Sequence, residues 1–174
     1  MSRVWMLPAV LALASSALFA ADPASPAGPQ RAAAERYAGE CGTCHIAYPA
    51  KFLPARSWQR LMDNLANHFG DNAELGEADR QQITGYLLAG AGDKSSEKRA
   101  TKFTGSIPAD TTPLRITELP YFKREHREIP RRYIRDNAQV GSLSNCAACH
   151  TRAEQGSFRE REIAIPGMGR WEDD

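Results

Sequence analysis

The sequence predicts a mainly α chain in two small units, an N-terminal helical one and a C-terminal irregular one. Three observations carry this. Between residues 30 and 89, apolar side chains recur at helical spacing. After residue 113 that periodicity fades and prolines interrupt the short apolar stretches. The pattern C-x-x-C-H occurs once in each unit, as Cys41-Gly42-Thr43-Cys44-His45 and as Cys146-Ala147-Ala148-Cys149-His150.

Residues 1–21 read as a signal peptide. Arg3 gives a positive start, Val4 to Phe19 is mostly apolar with small residues, and Ala20-Ala21 offers a cleavage point. The apolar run is short for a membrane span and contains Pro8, so cleavage is expected rather than a retained anchor. Residues 22–29, rich in Pro, Ala and Ser, read as a flexible lead-in.

The first unit is expected over 30–92. A helix over Gln30 to Glu40, with Ala33 and Tyr37 on one face, runs into the first motif. Ile46 to Arg56 holds Pro49 and Pro54 and reads as a loop, with Tyr48 and Phe52 as packing groups. Ser57 is the expected N-cap of a helix from Trp58 to Phe69, whose apolar face carries Trp58, Leu61, Met62, Leu65, His68 and Phe69. Another helix is expected from about Glu77 to Ala89, stopped by Gly90 and Gly92. The polar stretch 93–113 reads as a linker. The second unit, 114–174, is expected to gain order by wrapping a cofactor.

C-x-x-C-H is the attachment signature of c-type haem: each cysteine adds across a vinyl group, and the histidine gives an imidazole nitrogen to iron. Cys41 and Cys44, then Cys146 and Cys149, are thus expected to hold two covalent haem c groups, with His45 and His150 as iron ligands. A thioredoxin-like pair would need a βαβ pattern that is absent. A zinc site or two disulfides would leave the histidine after each pair unexplained. A helix that ends in C-x-x-C-H also resembles the start of a class I cytochrome c. Haem c is attached on the far side of the bacterial membrane, which agrees with a leader and a periplasmic location.

Two haems need four axial ligands, and the chain has four histidines. His68 lies 23 residues after His45, and His126 lies 24 residues before His150. The simple pairing is His45 with His68 and His126 with His150. Met62 and Met168 compete for the sixth positions, and an open iron is the remaining possibility. The run from Lys123 to Arg132, with Arg135, carries surplus positive charge. It suits haem propionates, a docking face for an acidic partner, or plain solvation. Arg124, Arg127 and Arg131 near the second haem would raise its potential. A net charge of +1 in an exported haem protein speaks against nucleic-acid binding.

Longer stretches carry a resemblance: Cys41 to Tyr48, Leu53-Pro54-Ala55-Arg56-Ser57-Trp58, His68 to Leu75, Arg124 to Pro130, and Cys146 to Gly156. In their order they resemble the bacterial periplasmic dihaem cytochrome c family over about Gln30 to Pro166. That resemblance implies a class I cytochrome c-like helical domain, an irregular second domain, and two bis-histidine haems on His45/His68 and His126/His150. It implies a redox carrier working with a membrane b-type cytochrome as donor and a small soluble haem protein as acceptor. Saturated irons exchange only electrons, so no catalytic residue is expected. A dihaem enzyme, peroxidase-like or acting on a small molecule, would need an open iron and an acid/base group beside it. A sensor would need an output module, and none is visible.

Overall fold

The computed structural model describes residues 28–171. The expected leader and most of the lead-in lie outside the described residues.

Helix α1 (Pro29–Cys41) has proline at its first position, where the missing N–H costs nothing. Its buried stripe is Ala33 and Tyr37, four apart, as expected. Helix α3 (Glu77–Ala89) opens with Glu77 and Asp79, whose charges suit a helix N-terminus, and buries Ile83 and Leu87 almost completely. Both α1 and α2 (Ala55–Met62) pack on α3. At the exit of α3, the Gly92 N–H donates to the Leu53 carbonyl at 3.0 Å, and a Cβ there would lie 2.2 Å from the Lys51 carbonyl oxygen. Only glycine lets these two backbones meet.

The expected helix over Trp58–Phe69 is corrected. Helix α2 starts three residues earlier and stops at Met62. Pro54 sets the entry, and Ser57, expected as the cap, is fully buried inside the helix with its hydroxyl oxygen unpartnered. Asp63 and Asn64 end it, because their short polar side chains favour turns over helix interior. A single tight turn, Leu65–Asn67, follows, so His68 sits beyond the helix and not on its face. There the chain reverses: His68 N–H donates to the Asp71 carbonyl at 2.7 Å, and Asp71 N–H to the His68 carbonyl at 3.2 Å. Phe69 and Gly70 between them both have positive φ, 58° and 106°. The loop expected over Ile46 to Arg56 likewise contains a short helical turn, Ala50–Phe52, and the start of α2.

The polar stretch 93–113 carries helix α4 (Lys98–Gly105), which buries Ala100 and Phe103. Beyond it comes helix α5 (Pro120–His126), again opened by proline, burying Tyr121 and Phe122. The rest is single helical turns and a two-residue antiparallel pair, β1 (Ala164–Ile165) with β2 (Gly169–Arg170). Aromatic rings join the parts. Phe52 stacks on Phe103 at 4.7 Å, Phe103 meets Tyr121 edge-on at 4.8 Å, and Phe158 meets Phe52 edge-on at 5.0 Å. One apolar core therefore takes residues from both sides of the polar stretch. The fold is mainly α, as the periodicity implies, with turn-rich structure concentrated toward the C-terminal end.

Candidate functional site

The end of α1 delivers Cys41, half-buried, and the Thr43 hydroxyl closes the following turn by donating to the Glu40 carbonyl at 3.0 Å. His45 then lies against Tyr48, ring centres 4.9 Å apart and planes 28° from parallel. Its Nδ1 is 2.7 Å from the Ile46 carbonyl oxygen. Such a bond places the proton on Nδ1 and leaves the Nε2 lone pair for a metal. The reversal at 68–71 brings His68 opposite, with ring centres 6.3 Å apart and planes 26° from parallel. Burial, and then the neighbouring His45, push the His68 pKa down, so the ring is neutral and able to ligate.

The second pair is built differently. His126 ends α5, with Nδ1 2.8 Å from the Phe122 carbonyl oxygen one turn back. Its ring lies flat on the Phe122 ring, centres 3.9 Å apart and planes 13° from parallel. His150 closes the tight turn begun at Cys146, its N–H donating to the Cys146 carbonyl at 2.8 Å. It is held against Ile163 by an isolated two-strand bridge. The rings of His126 and His150 lie 6.2 Å apart with planes at 65°. Burial, then His126, then Arg99, push the His150 pKa down to about 4. Both histidines line a cavity together with Cys146, Cys149, Arg99 and Phe158.

No two of the four cysteines form a disulfide. Among the described residues no three His, Cys, Asp or Glu side chains gather as a metal ion alone would need. Two imidazoles per centre is instead what an iron needs when a porphyrin fills its other four positions. The spacing fits. Metal–imidazole bonds of about 2.0 Å, with about 1.1 Å from nitrogen to ring centre, place opposed ring centres about 6.2 Å apart. In each pair, moreover, one ring has a buried Nδ1 with no hydrogen-bond partner, on His68 and on His150. Buried polar atoms left so are costly, and a missing group beside them is the ordinary reason.

The competing methionines differ in exposure. Met62 is 4% exposed in the apolar core, and Met168 is at the exposed tip of the β1–β2 turn. Arg124 and Arg127 flank His126 in sequence at the end of α5. Arg124 covers the Tyr121 ring, Arg127 and Arg131 pair with Glu128 and Asp136 at the surface, and it is Arg99 that lines the cavity. Arg99 stands on α4, inside a stretch whose polarity hid it. Phe122 was available from helical spacing, four residues before His126.

Two cysteine pairs, each beside two facing imidazoles, define a c-type cytochrome with two haem centres. A family model described as dihaem cytochrome c matches residues 37–158, and the chain belongs to that family, with two haem c cofactors. Among solved structures it is similar to a diheme cytochrome type c from Shewanella baltica OS155. The two are 44% identical, over 80% of this chain and 98% of that one, with a TM-score of 0.67. It is similar also to a diheme cytochrome c from Rhodobacter sphaeroides, 51% identical over 71% of this chain and 95% of that one, with a TM-score of 0.63. A comparison with curated proteins gives no match.

Proposed function

We propose that the protein is an exported electron carrier whose irons are both saturated by histidine, His45 with His68 and His126 with His150. The observation that carries this reading is the pair of ring separations, 6.3 and 6.2 Å, each with an orphaned buried nitrogen. Bound haem supplies an iron that takes up and gives up one electron. The chain does the rest. Cys41, Cys44, Cys146 and Cys149 hold the groups covalently, so they cannot be lost in transit. The four imidazoles would hold the two irons and leave no position open to small ligands. Ile46 and Phe122 hold one ring of each pair in a fixed tautomer through their carbonyls.

The leader places the carrier in the periplasm, and no helix among the described residues is long and apolar enough to cross a membrane. The exposed basic segment Lys123–Arg135 gives a docking face for an acidic redox partner. In that scheme a membrane b-type cytochrome donates and a small soluble haem protein accepts.

Absorption spectra of the matured protein, oxidised and reduced, with and without carbon monoxide, test the reading. Low-spin bands from two covalent haems, unmoved by carbon monoxide, are expected. A carbon monoxide-sensitive fraction would overturn it and point to an enzyme or ligand binder with an open iron.

A further inference from the structure

One side chain touches both centres. The Tyr48 ring lies on His45, with ring centres 4.9 Å apart. Its hydroxyl reaches 96 residues along the chain and donates to the Ser144 carbonyl at 3.3 Å. That same carbonyl is 3.7 Å from the Cys146 sulfur, and Tyr48 lines the cavity that holds Cys146, Cys149 and His150. Its backbone is fixed as well, because the Tyr37 hydroxyl donates to the Tyr48 carbonyl at 2.8 Å from within α1.

We infer that Tyr48 is the positioning residue that couples the two haem centres: it sets the His45 ring on one side and holds the Cys146 segment on the other. The inference rests on the electron-carrier reading above. A plain packing role would need only the ring. Here the hydroxyl is directed at a backbone oxygen that lies 3.7 Å from the Cys146 sulfur, and the ring faces the His45 imidazole. The step it serves is simple. With haem bound at both histidine pairs, one electron would pass between the two irons, one being oxidised as the other is reduced. No bond would form or break, and the phenol would keep its proton, directed at the Ser144 carbonyl. The contribution of Tyr48 would be a π contact with His45 on one side and a hydrogen bond to the segment that carries Cys146 on the other.

Three holoproteins separate these elements: wild type, Tyr48→Phe and Tyr48→Leu. Tyr48→Phe keeps the ring and loses the Ser144 bond, while Tyr48→Leu loses both. Flash photoreduction reads the transfer rate between the haems, and low-temperature electron paramagnetic resonance reads the ligand orientation at each iron. Tyr48→Phe should slow interhaem transfer several-fold with both resonance signals unchanged. Tyr48→Leu should slow it further and shift the first haem's signal alone. Wild-type transfer rates in both variants would overturn the inference, as would a Tyr48→Leu signal shift at the second haem only. The carbon monoxide response of the same samples keeps the two readings apart. Irons that stay closed while the rates stay unchanged sink the role of Tyr48 and leave the electron carrier standing.

Discussion

The two centres solve one problem with their parts exchanged. In each, one imidazole is clamped through its ring and the other through its backbone. At the first centre the motif histidine, His45, is the ring-clamped member, by the Ile46 carbonyl and Tyr48. Its partner His68 hangs on a bridge to Asp71. At the second centre the outside histidine, His126, is ring-clamped by Phe122, and the motif histidine hangs on a bridge to Ile163. Membership of C-x-x-C-H therefore does not decide which ring is rigid. What decides it is the element that carries the ring: the helix end at His126 and the segment packed on α1 at His45 offer a carbonyl and a stacked ring, whereas at the tight turns His68 and His150 have only edge-on or tilted ring contacts, with Phe69 and Phe158, beside their backbone bridges.

The largest expected effect breaks this pairing at one centre. His68→Met should raise the potential of the first haem by a visible part of the roughly 0.8 V that axial ligands span, and leave the second nearly unchanged. Potentiometric titration followed by absorbance would show this, and equal shifts at both haems would mean that the histidines are not paired as described. Phe122→Ala comes next. Phe122 is 5% exposed and lies flat on His126, so its loss should cost about 3–5 kcal/mol of stability. Denaturant titration of the holoprotein measures that cost, and carbon monoxide should then reach the second haem before the first. Arg99→Gln is the mildest. A cation beside an iron favours the electron-gained state, so its removal should lower the second haem's potential and barely move the first. A first-haem shift as large as the second's would place Arg99 elsewhere in the electrostatics.

How much of this was legible follows the same division. The histidine pairing was: the four-histidine count and the two sequence separations pick out the pairs whose ring centres the fold brings to 6.3 and 6.2 Å. Helices α1 and α3 were, because their buried positions repeat four apart and glycine or proline marks their ends. Helix α2 was misjudged because apolar residues continue past Met62 at helical spacing, while Asp63-Asn64 and the positive φ of Phe69 work against it locally. A pattern of apolar positions cannot show which of two signals wins. Helix α4 was hidden for the opposite reason. Only Ala100 and Phe103 of its eight residues are buried, so its composition is that of a linker although Phe103 sits in the core. Tyr48 was legible as a packing group but not as a bridge, since its partner Ser144 lies 96 residues away.

The row of rings from Phe158 through Phe52 and Phe103 to Tyr121 has a bearing on how the protein comes apart. Tyr121 is the neighbour of Phe122, and Phe158 is 5.2 Å from His150, so the row begins and ends at the second centre and passes through the first unit's core on the way. Opening the turn-rich end would therefore strip the helical end of packing at the same moment. The slow amide protons of both ends would report one shared opening event, and a cell's proteases would meet a single unit rather than a sturdy half with a fragile tail.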